Sequence, residues 1–389
     1  MKELVLQAGR DRSVRRRHPW VLSGAVGSIS EGAEAGDVVR VLSAEGEILG
    51  CGDYSPRSNI RVRMLWQGKD EPPEALISLR IAAAVARRAA NPELEGVEAL
   101  RLVNAEADEL PGLSVDRYGD TIVMRFATAG MSRRRDEVVA ALRDATGAAR
   151  GYERADSSAG RREAVELRQG LLWGEPLPAT LEFAEGKRRY SVDIAQGQQT
   201  GFYLGQRDAR DLVERLAKGR RVLDLFAYSG GFAVAAAVGG ARSVTLVESS
   251  AGALELARRN LEANAPGVDT RAEHGNAFEF VRRDSGQYDL VTIDPPPLAR
   301  SRGEVNKASR AYKDVLMAAL KRASPGALVL TFSSSSHVDA GLYRKIAFGA
   351  ALDAKREVQV LRTLGPAVDH PASIYHPEGA SLTGLLLQA

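Results

Sequence analysis

The sequence predicts a multidomain α/β protein with a β-rich N-terminal domain, a small central α+β domain and a doubly wound C-terminal domain. The chain has 389 residues, which is more than one typical domain. Residues 1–68 contain short strand-like runs separated by glycines, whereas apolar strands alternate with helices from about residue 190. These changes of pattern place the predicted domains at 1–70, 71–188 and 189–389.

Composition limits the classes of protein to consider. Cys51 is the single cysteine, which excludes an internal disulfide and a cysteine-rich metal site. The five histidines show no ligand spacing, so we expect no metal. The N-terminus lacks the apolar core of about 7–15 residues found in signal peptides, and no apolar run reaches the roughly 18 residues of a membrane span. A lone thiol and no leader predict a cytoplasmic protein without a membrane partner.

The N-terminal domain is predicted from the runs "KELVLQ", "WVLSGAV", "DVVRVLS", "EILGCGDY" and "IRVRML". The net charge is only +3, but five arginines lie between residues 10 and 17 and a second basic cluster follows in "SPRSNIRVR". A single basic run usually lies on a solvated face of a protein. Two basic clusters that flank short strand-like runs favour RNA as the partner. Trp20 either stacks a base or packs inside the domain, and we favour packing. The predicted RNA-binding residues are Arg15, Arg16, Arg17, Arg57 and Arg61.

The central domain follows a charged, proline-rich break, "GKDEPPE". "ALISLRIAAAVARRAA" has the spacing of an amphipathic helix, which places Leu76, Leu79, Ile81 and Val85 on one side. "LRLVNAEADELPGLSVDRYGDTIVMRF" predicts three strands, and "SRRRDEVVAALRDAT" predicts a second helix. Together these elements predict a compact α+β domain.

The C-terminal domain carries polar residues at the ends of four predicted strands. Asp224 lies in "VLDLFAYSGGF", Glu248 ends "VTLVE", Asn276 lies in "HGNAF" and Asp294 lies in "DLVTIDPPP". Ligands of open α/β sheets bind at this carboxyl edge. One acid at a strand end is common in any such fold, but four in order fit a nucleoside-containing cofactor. The acids suit the cationic S-adenosylmethionine better than a pyrophosphate.

These motifs resemble those of the PUA-domain ribosomal RNA methyltransferases, class I S-adenosylmethionine enzymes that include large-subunit cytosine-5 methyltransferases. The resemblance covers nearly the whole chain. It implies a PUA-like β-barrel at the N-terminus, a Rossmann-like class I methyltransferase domain at the C-terminus, 23S ribosomal RNA or its precursor as partner, and a homodimer. The motifs, in family order, are "RRRHPWVLSGAV", "YSPRSNIRVRML", "LVNAEADELPGLSVDRYGD", "GQQTGFYLGQRDAR", "VLDLFAYSGGFAVAAAVGGARSVTLVE", "DPPPLARS", "RAYKDVLMAAL" and "VDHPASIYHPEG".

The resemblance also implies roles for individual residues. Asp294, Pro295 and Pro296 would face the target nucleotide, and Asp294 and Pro296 are candidate catalytic residues. The family often has Asp where this chain has Gly205 and Asn276; an asparagine can still accept from the adenine amino group and donate to a ring nitrogen. The implied cofactor-binding residues are Thr200, Phe202, Gln206 and Arg207 in the pocket wall, Asp224, Phe226, Tyr228 and Gly230 around the methionine moiety, Glu248 at the ribose, Asn276 at the adenine, and Asp294.

Ser334 is the third departure from the family. There, a pattern like Thr-Phe-Ser-Cys-Ser supplies the thiol that attacks C6 of cytosine; here "TFSSS" places Ser334 at that position. A hydroxyl is far less acidic than a thiol and needs an adjacent base, for which His337 is a candidate. Cys51 lies in the N-terminal domain and is predicted to be a small buried residue. Ser334 is kept as a candidate catalytic residue.

We therefore predict an S-adenosylmethionine-dependent enzyme that methylates a base of 23S ribosomal RNA. Family membership implies cytosine C5, whereas the missing thiol favours a ring nitrogen such as guanine N7, which is already nucleophilic. An exocyclic amino group is disfavoured because Pro297 and Leu298 stand where an aromatic residue would stack on the base. One alternative is a catalytically silent RNA-binding or ribosome-assembly factor that retains cofactor binding; another is a small-molecule methyltransferase.

Overall fold

The fold is described from a computed structural model, in which residues 1–155, 160, 163, 166–380 and 382–389 are described. They form two compact units. The first comprises Met1–Ala179 with Asp369–Gly379, and the second comprises Thr180–Val368 with Ala380–Ala389. The first unit thus includes a short stretch from near the C-terminus, which the sequence pattern does not indicate. The division into three domains at 1–70, 71–188 and 189–389 stays a prediction. Among the described helices, none is long and apolar enough to cross a membrane.

A six-stranded mixed sheet forms the N-terminal part of the first unit. Its order is β2-β6-β5-β4-β1-β3, with β1 and β4 parallel and the other neighbours antiparallel. The sheet residues Leu4, Val39 and Val62 are fully buried. The elements are β1 (Lys2–Leu6), α1 (Arg12–Arg15), β2 (Trp20–Leu22), β3 (Val26–Ile29), β4 (Val38–Leu42), β5 (Ile48–Tyr54) and β6 (Ile60–Gln67).

Of two predictions about single residues of this sheet, one is confirmed and one holds only in part. Cys51 is 5% exposed, and burial raises the pKa of its thiol to about 11, so it is a buried small residue and not a reactive thiolate. Trp20 is half-buried and packs against residues outside 1–70: its Nε1 donates to Glu106 Oε1 at 2.9 Å, and its ring meets that of His376 edge-on at 4.3 Å.

A five-stranded sheet with helices forms the rest of the first unit, as the predicted α+β pattern indicates. Its order is β11-β10-β9-β8-β7. The elements are α2 (Leu76–Ala89), β7 (Ala99–Asn104), β8 (Leu113–Tyr118), β9 (Thr121–Phe126), α3 (Ala129–Arg133), α4 (Arg135–Thr146), β10 (Arg150–Glu153) and β11 (Gly170–Trp173).

The buried face of α2 differs from the predicted one. Leu79 was expected to be buried but is 56% exposed. The buried stripe runs through Ile77, Ile81, Ala84 and Arg88. The helix can bury the side chain of Arg88 because a buried carboxylate pairs with it.

That carboxylate is Asp108, whose side chain is 1% exposed. Arg88 donates to both its oxygens, at 2.6 and 2.8 Å, while Arg87 Nη2 and the backbone N–H of Asn104 donate at 2.9 and 2.7 Å. Burial acts to raise the pKa of Asp108, but the bonds and charge of Arg88 outweigh it and the pKa is lowered. Arg88 Nη2 also donates to the backbone oxygen of Asp369 at 3.2 Å, which ties the segment 369–379 to this unit.

Asp108→Asn should lower the free energy of unfolding of the first unit by about 3–5 kcal/mol, because it leaves the charge of Arg88 buried without its partner. Glu34→Gln is the control. Glu34 pairs with Arg133 at 3.4 Å, but its side chain is 76% exposed, so its loss should cost less than about 1 kcal/mol. Denaturant unfolding of both variants is the measurement, and equal midpoints would contradict the account.

The second unit is a seven-stranded sheet with helices, preceded by the hairpin of β12 and β13. Its strands follow the order β16-β15-β14-β17-β18-β20-β19, parallel except for β20, which is antiparallel to both its neighbours. The elements are β12 (Leu181–Glu185), β13 (Arg188–Val192), α5 (Arg207–Leu216), β14 (Arg221–Leu225), α6 (Gly231–Val238), β15 (Ser243–Glu248), α7 (Ala251–Asn264), β16 (Asp269–His274), α8 (Ala277–Arg283), β17 (Tyr288–Ile293), α9 (Val305–Arg322), β18 (Ala323–Ser333), α10 (Ala340–Ala354), β19 (Gln359–Leu364) and β20 (Thr383–Gln388).

This order confirms the predicted doubly wound sheet. The strands β14, β15 and β16 extend to one side, and the next strand along the chain, β17, is added on the other side of β14. The connections after β14 and β17 therefore diverge. Such a switch point leaves a crevice at the carboxyl ends of the two strands, where ligands of open α/β sheets bind.

Candidate functional site

Asp224 and Asp294 lie at the carboxyl ends of the two strands that flank the switch point. Asp224 is the fourth of the five residues of β14, is 1% exposed, and accepts hydrogen bonds from the backbone N–H of Ala233 at 3.0 Å and from the hydroxyl of Thr292 at 2.6 Å. Asp294 follows β17 directly and accepts from Gln206 Nε2 at 2.8 Å. The sheet therefore brings both predicted carboxylates to its carboxyl edge.

The turn between β14 and α6 has an unusual backbone. Phe226, Tyr228 and Gly230 have φ angles of 64°, 49° and 84°. Left-handed conformations of residues other than glycine cost of the order of 1–3 kcal/mol and are concentrated at functional sites. Gly230 also lies close to α7, because a Cβ there would be 3.0 Å from that of Ala257. The turn thus holds the backbone in a fixed, strained loop over the strand end.

Glu248 ends β15 and is tied to the same turn. Its Oε2 accepts from the backbone N–H of Tyr228 at 2.8 Å, and its Oε1 accepts from the backbone N–H of Ser250, also at 2.8 Å. Each carboxylate oxygen has a second lone pair. The hydroxyl of Ser249 also donates to Oε1, at 3.2 Å, so Glu248 is fixed in orientation and keeps one free lone pair, on Oε2, for a hydroxyl of a ligand.

The segment 197–206 forms a wall beside these carboxylates. The hydroxyl of Tyr228 accepts from the backbone N–H of Gln198 at 2.8 Å and donates to the backbone oxygen of Gly201 at 3.0 Å. Tyr203 packs edge-on against Tyr228 at 5.6 Å. Burial, together with the nearby charge of Asp294, raises the pKa of Tyr203 and keeps it a neutral donor. Sequence reasoning missed Tyr203, although it lies in the motif "GQQTGFYLGQRDAR".

The predicted wall residues are not equivalent. Gln206 is 4% exposed, and its Oε1 is buried with no hydrogen-bond partner among the described residues. Phe202 is 3% exposed and packs against Tyr190 at 4.8 Å, with the guanidinium of Arg210 4.6 Å from its ring, so its visible role is in the core. Thr200 and Arg207 are buried at 0% and 6% exposure. Among these wall residues, Gln206 offers an unsatisfied acceptor, Oε1, to a donor group of a ligand.

The three carboxyl groups give the site a negative character that increases as they ionise. Burial raises the pKa of Asp224 to about 7, with further contributions from the charges of Asp294 and Glu248. Burial likewise raises the pKa of Asp294 to about 7. No lysine or arginine among the described residues forms an ion pair with any of the three carboxylates. A site of this kind suits a ligand that brings a positive charge.

Asn276 lies after β16, but its geometry corrects one expectation. Its Oδ1 caps α8 by accepting from the backbone N–H of Phe278 at 2.9 Å and of Glu279 at 3.4 Å. The oxygen is therefore not the acceptor that an adenine amino group needs, and Nδ2 is left as the group that can donate to a ring nitrogen. Phe278 meets Phe226 edge-on at 5.3 Å, which places two aromatic rings beside this cap.

The serines at the end of β18 and directly after it, Ser333–Ser336, differ in their surroundings. Ser333 and Ser335 are 0% and 2% exposed and both bond the hydroxyl of Tyr312, at 3.1 and 3.0 Å. Ser335 Oγ also accepts from the backbone N–H of Ala299 at 3.1 Å. These bonds join the serine run to the loop that follows Asp294. Tyr312 comes from α9, and its motif alone did not indicate this role.

Ser334 is the partly exposed member of the run and makes no hydrogen bond with any described residue. His337 is exposed and likewise makes none among the described residues, so the proposed serine–histidine pair does not form. Pro296 is exposed in the loop after Asp294. Ser334 thus lacks the adjacent base that a hydroxyl nucleophile needs.

The predicted RNA-binding arginines differ in their availability. Arg16 and Arg57 are exposed and have no partner among the described residues. Arg15 pairs with Asp11 at 2.5 Å and Glu47 at 2.7 Å, and Arg61 donates to the backbone oxygens of Ser55 and Pro56. Arg17 lies over the ring of Tyr375 at 4.7 Å.

Comparisons with known proteins give the site its context. A family model of S-adenosylmethionine-dependent methyltransferases matches residues 147–341, and one of the PUA-like domain matches residues 4–67. A Klebsiella pneumoniae protein named ribosomal RNA large subunit methyltransferase I is 38% identical over 98% of this chain and 96% of that protein. The protein of the same name from Photobacterium profundum is 40% identical, with 98% of each chain covered.

Solved structures agree on the fold. A putative methyltransferase from Streptococcus mutans covers 100% of both chains with a TM-score of 0.86 at 22% identity, and a putative methyltransferase complexed with SAH matches with the same values. The predicted PUA-like and class I methyltransferase folds, the enzyme class and the S-adenosylmethionine cofactor are confirmed. The chain therefore belongs to the PUA-domain S-adenosylmethionine-dependent methyltransferases, the family of the proteins named ribosomal RNA large subunit methyltransferase I.

Proposed function

We propose that this enzyme methylates a base of large-subunit ribosomal RNA. The observation that carries the proposal is the cluster of Asp224, Glu248 and Asp294, which forms no ion pair with a lysine or arginine among the described residues, at the switch point of a chain similar over 98% of its length to named ribosomal RNA methyltransferases. The PUA-like match at residues 4–67 supports RNA as the substrate.

The residues of the site fit S-adenosylmethionine. In the bound state that cofactor supplies an electrophilic methyl group on a positively charged sulfur. We assign Asp224 and the strained turn through Tyr228 and Gly230 to the methionine moiety, Glu248 to a ribose hydroxyl, and Gln206 Oε1 to a donor of the cofactor. Asn276 Nδ2 would donate to a ring nitrogen of the adenine, next to Phe226. Thr200, Phe202 and Arg207 would support the wall from behind.

Asp294 is proposed to act on the target base. It follows the sheet edge directly, and Gln206 holds one of its oxygens at 2.8 Å. With a pKa raised to about 7, it is partly ionised near neutral pH, and its carboxylate can accept a hydrogen bond from an N–H group elsewhere on the target base and so align the attacking nitrogen. Pro296, exposed in the same loop, would contact the flipped nucleotide.

The proposed acceptor is a base nitrogen that attacks the methyl group directly. Cytosine C5 needs prior covalent attack at C6. A serine hydroxyl is far less acidic than a thiol, and Ser334 has no hydrogen-bonded base among the described residues for that step. A ring nitrogen is nucleophilic without such help and needs only alignment. Exposed Arg16 and Arg57 are proposed to hold phosphates, with Arg17 nearby. Arg15 and Arg61 are weaker candidates because their guanidinium groups are engaged within the protein.

Transfer from methyl-labelled cofactor to purified ribosomal RNAs lacking modifications tests the proposal. We expect label in large-subunit RNA and none in small-subunit RNA. Label in a small molecule or in small-subunit RNA would contradict the substrate. No label in any RNA, despite measured cofactor binding, would favour the silent RNA-binding factor.

The affinity for S-adenosylmethionine should rise with pH and level off above about pH 7. Burial raises the pKa of Asp224 and Asp294 to about 7, so below that pH the carboxyl groups are protonated and a cationic ligand must displace the protons. Each group contributes up to about tenfold in affinity per pH unit. S-adenosylhomocysteine has a neutral sulfur and should show a shallower slope. Calorimetric titrations between about pH 5.5 and 8 compare the two, and parallel slopes would contradict this assignment.

A further inference from the structure

A polar cavity lies within the first unit. Its volume is about 260 Å³. It is built from the basic run, from β6, from α2 and the stretch before β8, and from the segment 369–379. The lining residues on which the following argument depends are Arg17, Trp66, Arg80, Glu106, Glu109 and Tyr375.

One of the lining residues, Trp66, carries a buried donor that no described residue satisfies. Trp66 Nε1 is buried and has no hydrogen-bond partner among the described residues. By contrast, Trp20 Nε1 donates to Glu106 at 2.9 Å and Trp173 Nε1 donates to the backbone oxygen of Ala148 at 3.0 Å. Leaving an indole N–H without an acceptor costs free energy unless a ligand supplies one.

One side of the cavity carries a stacked cation and ring. Arg17 has a left-handed backbone, with φ of 66°, and its guanidinium lies 4.7 Å from the centre of the Tyr375 ring. Tyr375 is 45% exposed and the neighbouring Ile374 is 88% exposed. Guanidinium planes and aromatic rings are the surfaces on which proteins stack unpaired bases.

The charges of the lining narrow the class of ligand. Glu106 and Glu109 disfavour a phosphate or a carboxylate, while Arg17 and Arg80 disfavour a metal or organic cation. Arg80 is itself held by Glu109, with its Nη2 3.1 Å from Oε2. Glu106 Oε1 accepts from Trp20 Nε1 and lies 3.7 Å from Arg63 Nε, so its charge is also partly balanced. A ligand that is planar and neutral, with donors and acceptors on its edge, is compatible with these paired charges and can accept from Trp66 Nε1. Nucleobases have these properties.

We propose that this cavity binds an unpaired nucleobase of the RNA, distinct from the base that is methylated. Trp66 Nε1 would donate to a carbonyl or ring nitrogen on the base edge, Glu106 would accept from a base N–H, and Arg17 with Tyr375 would cover the face. The inference rests on the proposed function for RNA as substrate. It adds a site that reads a base at a second position.

The full-length protein offers a direct test, because its three tryptophans give three indole N–H signals. With ¹⁵N-labelled tryptophan, Trp66→Phe identifies the Trp66 signal by its loss. A single-stranded RNA decamer containing all four bases is the probe. We expect the Trp66 signal to shift on saturation with RNA and the Trp173 signal to stay in place. RNA that binds by fluorescence anisotropy without moving the Trp66 signal would overturn the inference and leave the proposed function intact.

Kinetics provide the second readout. Trp66→Phe keeps an aromatic ring and removes only the donor, so KM for large-subunit ribosomal RNA should rise about three- to tenfold while kcat and the affinity for S-adenosylmethionine are unchanged. Tyr375→Leu removes the exposed ring and should raise KM about fivefold or more. An unchanged KM in both variants would overturn the inference. Failure of the wild-type protein to bind or methylate any RNA would instead overturn the proposed function on which it rests.

Discussion

Asp294→Asn should lower kcat for methyl transfer at least a hundredfold, that is by about 2.7 kcal/mol or more in transition-state stabilisation. The substitution keeps the size of the side chain and removes its charge and its basicity. The carboxylate is held by Gln206 at the edge where the methyl acceptor is proposed to lie. Because Asp224 and Glu248 remain, binding of S-adenosylmethionine should weaken far less than kcat falls. Single-turnover transfer of labelled methyl and calorimetric cofactor binding separate the two effects.

Asp289→Asn is the matched control. Asp289 lies on the same strand, β17, but near its amino end, where it pairs with Arg221 at 2.9 Å. Its loss should leave kcat within about twofold, since a surface ion pair contributes about 0–1 kcal/mol to stability and lies away from the carboxyl edge. If Asp294→Asn retains near wild-type kcat, or if both variants lose activity equally, Asp294 does not act on the substrate.

Ser334→Cys should create cytosine-5 chemistry that the native chain lacks. The position is partly exposed and makes no hydrogen bond among the described residues, so a thiol there has no partner to give up. A thiol of pKa near 8.5 is partly ionised at pH 8 and attacks C6 of cytosine, where a serine does not. RNA containing 5-fluorocytidine reports the attack, because fluorine at C5 cannot leave as a proton and the covalent adduct persists after methyl transfer.

We expect at least about tenfold more covalent adduct with Ser334→Cys than with the native protein, a difference of about 1.4 kcal/mol. Ser335→Cys is the matched control. Ser335 is 2% exposed and bonds Tyr312 and Ala299, so a thiol at 335 should form no adduct. Equal adduct with the native serine and with Ser334→Cys would show that the hydroxyl is already competent and that the chemical argument against it is wrong.

The site residues that lie at strand ends could be predicted from the sequence, because the position of a residue along a parallel strand determines the edge of the sheet at which it lies. Asp224, Glu248 and Asp294 each lie at or near the end of an apolar run, and parallel strands end at one edge. The alternation of strands and helices predicts such a parallel sheet. The clustering of these acids could therefore be expected before the fold was known.

Features that depend on distant partners could not be predicted. The apolar spacing of α2 predicts the wrong buried face at Leu79. The helix instead buries Arg88, because Arg88 pairs with Asp108, which lies twenty residues away in sequence. The different roles of Ser333 and Ser334 depend on Tyr312, which approaches from another helix. The predicted role of Asn276 Oδ1 as an acceptor from adenine is wrong, because this oxygen caps its own helix. Periodicity carries no signal for such contacts.

Nucleoside analysis of large-subunit ribosomal RNA, after transfer from methyl-labelled cofactor by the native enzyme, shows directly whether the methyl acceptor is a base nitrogen. We expect label in one methylated base with the methyl on nitrogen, and no labelled 5-methylcytidine. Labelled 5-methylcytidine as the product would contradict this expectation, because Ser334 or another group would then have to replace the missing thiol.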